Sequence, residues 1–451
     1  MGGRYRAYPE YKNSGEEWLG DVPSHWEVIQ IKHLSTVRRG ASPRPIDDEK
    51  YFDDEGEYAW TRIADVTASE MYLFNAPQRL SNLGSSLSVK LEPSALFLSI
   101  AGTVGKPCIS GIKACIHDGF VYFPDLKIPS KFLFYVFAGE QAYKGLGKFG
   151  TQLNLNTDTV GGIKIGCTES SQLEKIVHFL DHETAKIDTL IDKQQKLIKL
   201  LKEKRQAVIS NAVTKGLNPA VPLKDSGVEW LGKVPEHWVV CRVKTLVKAI
   251  IDGPHFSPQY QDDGYMFISA RNIKVDRWSL DDAKFISEED FQEFNKRVQP
   301  MKGDVLLTKG GTTGIARAVD LDFPFQVWVH VAVLKTITSK VNPFFLAYCL
   351  NGKACYEQSQ LLTRGATNND LGLSRIANIV LAIPNIVEQN QLVDWLNRKC
   401  AKFDKLLGLA EHNVNLLQER RTALISAAVT GKIDVRNWKT DQTEPHMEAT
   451  A

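Results

Sequence analysis

The chain has no long apolar run, no paired cysteines, no excess of one charge and no intact catalytic signature. Among its 451 residues no apolar stretch approaches the roughly 18 to 20 needed to span a bilayer. The opening "MGGRYRAYPEYK" lacks the apolar core of a signal peptide, and Arg6 stands where N-myristoylation requires Ser or Thr. The seven cysteines (108, 115, 167, 241, 349, 355 and 400) are odd in number and form no Cys-x-x-Cys pair. That pattern fits a reducing cytoplasm and argues against a disulfide scaffold or a structural zinc. Fifty-five basic residues against 53 acidic leave a formal charge of +2. Any phosphate-binding surface must therefore be a local patch or be shared with a partner.

Fragments of catalytic motifs do not complete themselves. "GTVGK" (Gly102 to Lys106) resembles part of a phosphate-binding loop, but Ile100 and Pro107 stand where that loop needs Gly and Ser or Thr. It reads as a turn between strands. "NPFF" (Asn342 to Phe345) lacks the second proline of the Asn-Pro-Pro-aromatic motif that holds adenine in amino-methyltransferases. Asn342 and Pro343 read instead as the N-cap and first residue of a helix. His178 and His182 are one helical turn apart, but "HFLDH" is not His-Glu-x-x-His and no third metal ligand is evident, so an exposed polar face is the default. His25 and His237, each before a tryptophan, read as parts of a packed structural corner.

What the chain does have is two long amphipathic stretches. From about Gln172 to Lys215 a seam advances in alternating steps of three and four, with Leu173, Ile176, Leu180, Ile187, Leu190, Leu197, Leu201 and Val208 as its apolar members and Glu183, Gln194 and Lys204 filling the remaining steps. Val177, Ile191 and Ile198 widen the stripe, and no Pro or Gly interrupts it before Gly216. This spacing predicts a coiled-coil helix about 60 Å long, too long to cover one small core. The spacing returns from about Gln389 to Gly431 in Leu392, Leu396, Phe403, Leu406, Leu417 and Leu424. "EKRQAVISNAVTKG" in the first stretch answers "ERRTALISAAVTGK" in the second. Polar residues also fall on the seam: Glu183, Gln194 and Lys204 in one helix, Lys399, Asn413 and Arg420 in the other. Either they fix register, or they mark where the coil is wet or faces another protein.

The rest of the chain repeats too. "SGEEWLGDVPSHWEVIQIKHL" from Ser14 answers "SGVEWLGKVPEHWVVCRVKTL" from Ser226. Weaker echoes follow in the same order: "TRIADV" and "SARNI", "ALFLSIAGTVGK" and "DVLLTKGGTTGI", "KFLFYVF" and "FFLAYCL", "GTQLNLN" and "GATNNDL". One unit is thus written twice, as a short opening, a variable globular domain and a long helix. The variable domains read as mixed α/β, rich in short strands, with glycines placed where positive φ is needed.

Basic and amide side chains recur on the loops of both domains. The first carries Arg38, Arg39, Arg44, Arg62, Lys106, Lys148, Gln152 and Asn154. The second carries His255, Arg271, Lys309, Thr312, Thr313, Arg364, Thr367, Asn368 and Asn369. Arg and Lys neutralise phosphates, and Arg, Asn and Gln can bond base edges in the major groove. Each alone is an ordinary surface residue; their clustering at equivalent places in both repeats marks them as candidates for DNA contact. Antiparallel pairing of the long helices, with a pseudo-two-fold axis, would hold two readers apart on a scale comparable to the 34 to 36 Å repeat of B-DNA major-groove faces.

This layout resembles the specificity (S) subunit of Type I restriction–modification systems. The residues that carry the likeness are "EWLGDVPSHWEV" and "EWLGKVPEHWVV", the turns "GTVGK" and "GTTGI", and "ERRTALISAAVTGKIDV". The first domain departs from it in having "GTQLNLN" where the second has the more typical "GATNNDL". The resemblance implies an α+β chain with an opening (1–24), a target-recognition domain (25–168), a spacer helix (169–216) and a linker (217–236). A second recognition domain (237–384), a second spacer helix (385–433) and a flexible tail (434–451) follow. It further implies a bipartite, asymmetric double-stranded DNA target, no catalysis and no metal in this subunit, and docking of two modification subunits on the spacers. S-adenosylmethionine, ATP and Mg belong to those and to restriction subunits. The rival reading is a coiled-coil interaction scaffold that does not touch DNA.

Overall fold

A computed structural model describes residues 5–143, 146, 155–364 and 370–439. The chain folds as two compact units, 1–193 with 413–451, and 194–412. The two long helices are present as Ser170–Lys215 and Ile386–Val429, and each contributes one part to either unit. Their ends are set by glycine. Gly216 and Gly431 adopt positive φ (72° and 71°), and at the second helix Lys432 N–H bonds back to the Ala427 carbonyl.

In the first unit a five-stranded sheet runs in the order Arg38–Arg39, Phe120–Tyr122, Leu96–Ser99, Pro107–Ser110, Tyr72–Leu73. A four-stranded sheet beside it runs Gln78–Leu80, Tyr58–Thr61, Ala114–Ile116, Val89–Leu91, with a parallel pair at its centre. The second unit has the order Val247–Asp252, Val331–Thr336, Val305–Thr308, Ala316–Ala318. Its companion sheet runs Lys284–Ile286, Tyr265–Ile268, Phe325–Val327, again with a parallel pair. These strands are short and mostly buried, which matches their runs of apolar residues between Gly, Pro and Asn.

Both openings are built alike. Asp21–Pro23 pairs with Tyr11–Asn13, and Lys233–Pro235 with Leu223–Asp225. Trp26 and Trp238 are fully buried behind them. His25 sits 3.2 Å from the Gln172 amide oxygen and His237 2.8 Å from the Glu388 carboxylate, in structural corners. Trp238 donates to the same carboxylate, while the Trp26 indole N–H has no partner among the described residues.

The long helices are part of each core. In the first unit Leu173, Ile176, Phe179 and Leu180 pack with Leu424, Ile425 and Ala428 and with the helix Ser130–Ala138. In the second unit Ile209, Ala212 and Val213 pack with Leu392, Leu396 and Cys400 and with the helix Pro343–Asn351. Asn342 caps that helix as expected, accepting from the Phe344 and Phe345 N–H groups. Arg421 grips Asp188 through two nitrogens in the first unit, at 2.7 and 3.3 Å. In the second unit Arg205 meets Asp404 at 3.1 Å and Lys202 meets Glu411 at 3.9 Å, so the two helical segments run in opposite directions there.

The apolar seam needs correction in its middle. Ile187 and Ile209 are buried, and Leu201, Val208, Phe403 and Leu417 are half-buried, but Leu190, Leu197 and Leu406 are exposed. The covered line passes instead through Ile191, Gln194, Ile198, Leu201 and Arg205. A helix makes 3.6 residues per turn, so a strict heptad drifts by about 20° each repeat and the covered side moves one residue along. Of the polar seam residues, Glu183 is buried and accepts from the Tyr5 hydroxyl at 2.6 Å. Lys204, Lys399, Asn413 and Arg420 are exposed.

The tail is also corrected. Asp434 N–H bonds to the Arg6 carbonyl, Val435 is buried, and Trp438 meets Phe179 edge-on at 5.3 Å. Residues 434–439 are docked on the first unit; 440–451 lie outside the described residues.

Candidate nucleic-acid interface

In the second unit two of the candidates, His255 and Lys309, gather around one carboxylate. Asp252 ends its strand at a point where only 4 % of its side chain is exposed. The Arg297 guanidinium donates to it from Nη2 and, through Nε, to its backbone carbonyl at 2.9 Å. Lys309 Nζ lies 3.3 Å away, and so does His255 Nε2. Burial by itself would raise the Asp252 carboxyl; the Arg297 hydrogen bond and the Lys309 charge outweigh it and hold the group below the usual carboxylate range.

The network continues outward. Lys309 also pairs with Asp370 at 3.2 Å, and Asp370 with Arg375 at 3.3 Å. Arg364 and Asp370 exchange two backbone hydrogen bonds, and the Lys309 carbonyl accepts from Leu371 N–H. The chain entering and leaving residues 365–369 is therefore tied to the same lysine. Three permanent cations (Arg297, Lys309, Arg375) face two carboxylates (Asp252, Asp370), which leaves the cluster positive.

Two candidates prove to be interior. Lys309 is 7 % exposed and Thr313 is 4 % exposed, the latter bonded to Thr363 and Gln360. They sit on or beside the glycine turn whose Gly311 and Gly314 have positive φ, as Gly102 and Gly105 do in the first unit. Thr312 and Arg364 are exposed, and Arg271 is paired with Asp282 at 3.3 Å.

The first unit makes two smaller groups. Arg39 donates to the Asp118 carbonyl, Arg44 pairs with the Asp118 carboxylate at 3.1 Å, and Arg38 is exposed on the same strand as Arg39. Arg62 and Lys106 each bond to the short helix Ile63–Ala68, Arg62 to the Asp65 carboxylate and Lys106 to the Thr67 carbonyl at 3.0 Å. Lys148, Gln152, Asn154, Thr367, Asn368 and Asn369 lie outside the described residues. Sequence reasoning missed Asp118, Asp252, Arg297 and Arg375. The one local hint was an acid closing an apolar strand before glycine, as Asp252 does before Gly253.

The family described as Type I restriction modification DNA specificity domain matches residues 235–408, which lie within the second unit. Residues 235–408 thus resemble a Type I restriction–modification specificity domain. The MjaVIII specificity subunit of Methanocaldococcus jannaschii is 22 % identical over 428 residues, covering 92 % of this chain and 95 % of that protein. The MjaIX specificity subunit of the same organism is 20 % identical, covering 96 % and 98 %. A solved structure concerned with assembly and conformational transition of the type I R-M system shares the fold, with a TM-score of 0.66 at 14 % identity, covering 91 % of this chain and 99 % of its own. Among the described residues no group of three or more His, Cys, Asp or Glu is placed to hold a metal, and no helix is long and apolar enough to cross a membrane.

Proposed function

We infer that this chain is the DNA sequence-recognition subunit of a Type I restriction–modification complex, each unit reading one half of a bipartite, asymmetric target. The observation that supports this is an order of four strands in one sheet and three in the other that both units share, the first unit adding a strand to each, with Arg39 ending the edge strand in one unit and Asp252 in the other. One scaffold with two dissimilar faces suits two unlike half-sites. Phosphate contacts would come from the arginines and lysines of both clusters, base contacts from the loops beside them.

In this reading the long helices pair head to tail about a pseudo-two-fold axis and set the unread gap. They also offer a docking surface to two modification subunits. Leu197, Leu200, Leu406 and Leu409 in the second unit, and Leu190 and Leu416 in the first, are exposed, and apolar residues at helical spacing favour a partner helix. Methyl transfer with S-adenosylmethionine, and translocation and cleavage with ATP and Mg, would be the work of the partner subunits, this one being non-catalytic.

The test is a domain exchange. Replacing residues 25–168 with another recognition domain should change one half of the methylated sequence and leave the other; change in both halves refutes the modular reading. The scaffold alternative draws on the near-neutral charge. It predicts no steep fall of DNA affinity of the assembled complex with salt, whereas phosphate contacts impose one.

A further inference from the structure

We propose that base reading is carried by the loop after the edge strand in each unit, residues 40–47 and 253–263, with Arg44 reading a guanine and Phe256 packing on a thymine methyl. This rests on the DNA-recognition reading above and assigns its specificity-determining side chains.

Each loop leaves the sheet at the same place. It follows the edge strand, Arg38–Arg39 or Val247–Asp252, which pairs antiparallel with Phe120–Tyr122 or Val331–Thr336. Each begins with a glycine, Gly40 or Gly253, that a side chain could not replace. A Cβ there would strike the backbone at His117 or at Val327 and Trp328. The loop root is thus pressed onto the turn that precedes the neighbouring strand. An aspartate stands at each root, Asp118 or Asp252, and gathers cations.

What projects from the two loops differs in chemistry. Arg44 leaves 75 % of its side chain exposed and is steadied by one exposed carboxylate, a pairing weak enough to exchange for a base edge. A guanidinium held this way can offer two parallel donors to guanine O6 and N7. Phe256 is 57 % exposed. A single exposed aromatic needs no explanation, but this one is held in place. It stands edge-on to the buried Phe294 at 5.2 Å, and Phe294 packs on Phe267 at 5.9 Å. His255 beside it is bound to the Asp252–Arg297–Lys309 cluster. A fixed apolar face next to anchored cations suits a site where phosphates are neutralised and a thymine methyl is desolvated at one step.

The test uses the assembled methylating complex and its own target, found first by mapping methylated adenines. Each thymine of a duplex target is replaced in turn by uracil, which lacks the methyl, and each guanine by 7-deazaguanine, which lacks the N7 acceptor. Affinity of the native complex should fall about tenfold at one uracil position and at one deazaguanine position, in opposite halves of the target. Phe256→Ala should abolish the thymine–uracil difference and leave the guanine response intact, and Arg44→Ala the reverse. Both sites are exposed, so the variants should melt with the native protein. Persistence of the discrimination in either variant, loss of affinity that is equal for all sequences, or both responses mapping to one half overturns the assignment. Absence of any sequence-selective binding by the native complex would instead sink the recognition reading itself.

Discussion

Asp252 and Asp118 each gather cations at the root of a loop, yet one is buried and the other half-exposed. Asp252 is held by Arg297 and Lys309 with 4 % of its side chain exposed; Asp118 meets Arg44 with 43 % exposed. The first arrangement is part of the core and can only be removed at a cost, because its cations would be left without a counter-charge. The second is screened by water and leaves its arginine available. The same scaffold thus uses one aspartate to fix a platform and another to park a side chain.

The largest effect should come from breaking the buried member. Asp252→Ala should destabilise the protein by about 3 kcal/mol, since it leaves the interior Lys309 with the Val329 carbonyl and, for counter-charge, the half-exposed Asp370. Asp118→Ala should cost under about 1 kcal/mol. Chemical denaturation of both variants checks this, and equal losses would erase the distinction. On the helices, Ile425→Ala should cost about 2 to 5 kcal/mol because Ile425 is fully buried, and the half-buried Leu417 should fall at or below the low end. Leu197→Ala should stay within about 0.5 kcal/mol, and a large loss there would restore the strict heptad seam.

The smallest effect is a pH dependence. Folding lowers the Asp252 pKa, so its contribution is fully present above the unfolded value near pH 4 and fades as pH falls through the lower folded value. Asp252→Asn should therefore flatten the acid limb of the stability profile below about pH 4. An unchanged acid limb in stability measurements would show that the carboxylate gains nothing from its neighbours.

Much of this was legible along the chain. The absence of Pro and Gly between Ser170 and Lys215 defines one helix, Asn342 before Pro343 marks the start of another, and the paired "GTVG" and "GTTG" turns do hold glycines at positive φ. The seam was legible at Leu173 to Leu180, where the helix is anchored in a core. It was misread at Leu190 and Leu197, where only the position of the opposite helix decides which side is covered. Lys309 looked like a surface cation and is interior, because the acids that bury it lie far away in sequence.

Sequence alone determined the two long helices and their glycine stops, since these depend on neighbours within a few residues. Tertiary structure decided which charges are sunk and which are presented. Asp252 meets Arg297 across 45 residues, and Gly40 and Gly253 owe their necessity to backbone that folds against them from elsewhere. Burial and counter-charge are properties of places where distant segments meet, and no local pattern of residues records them.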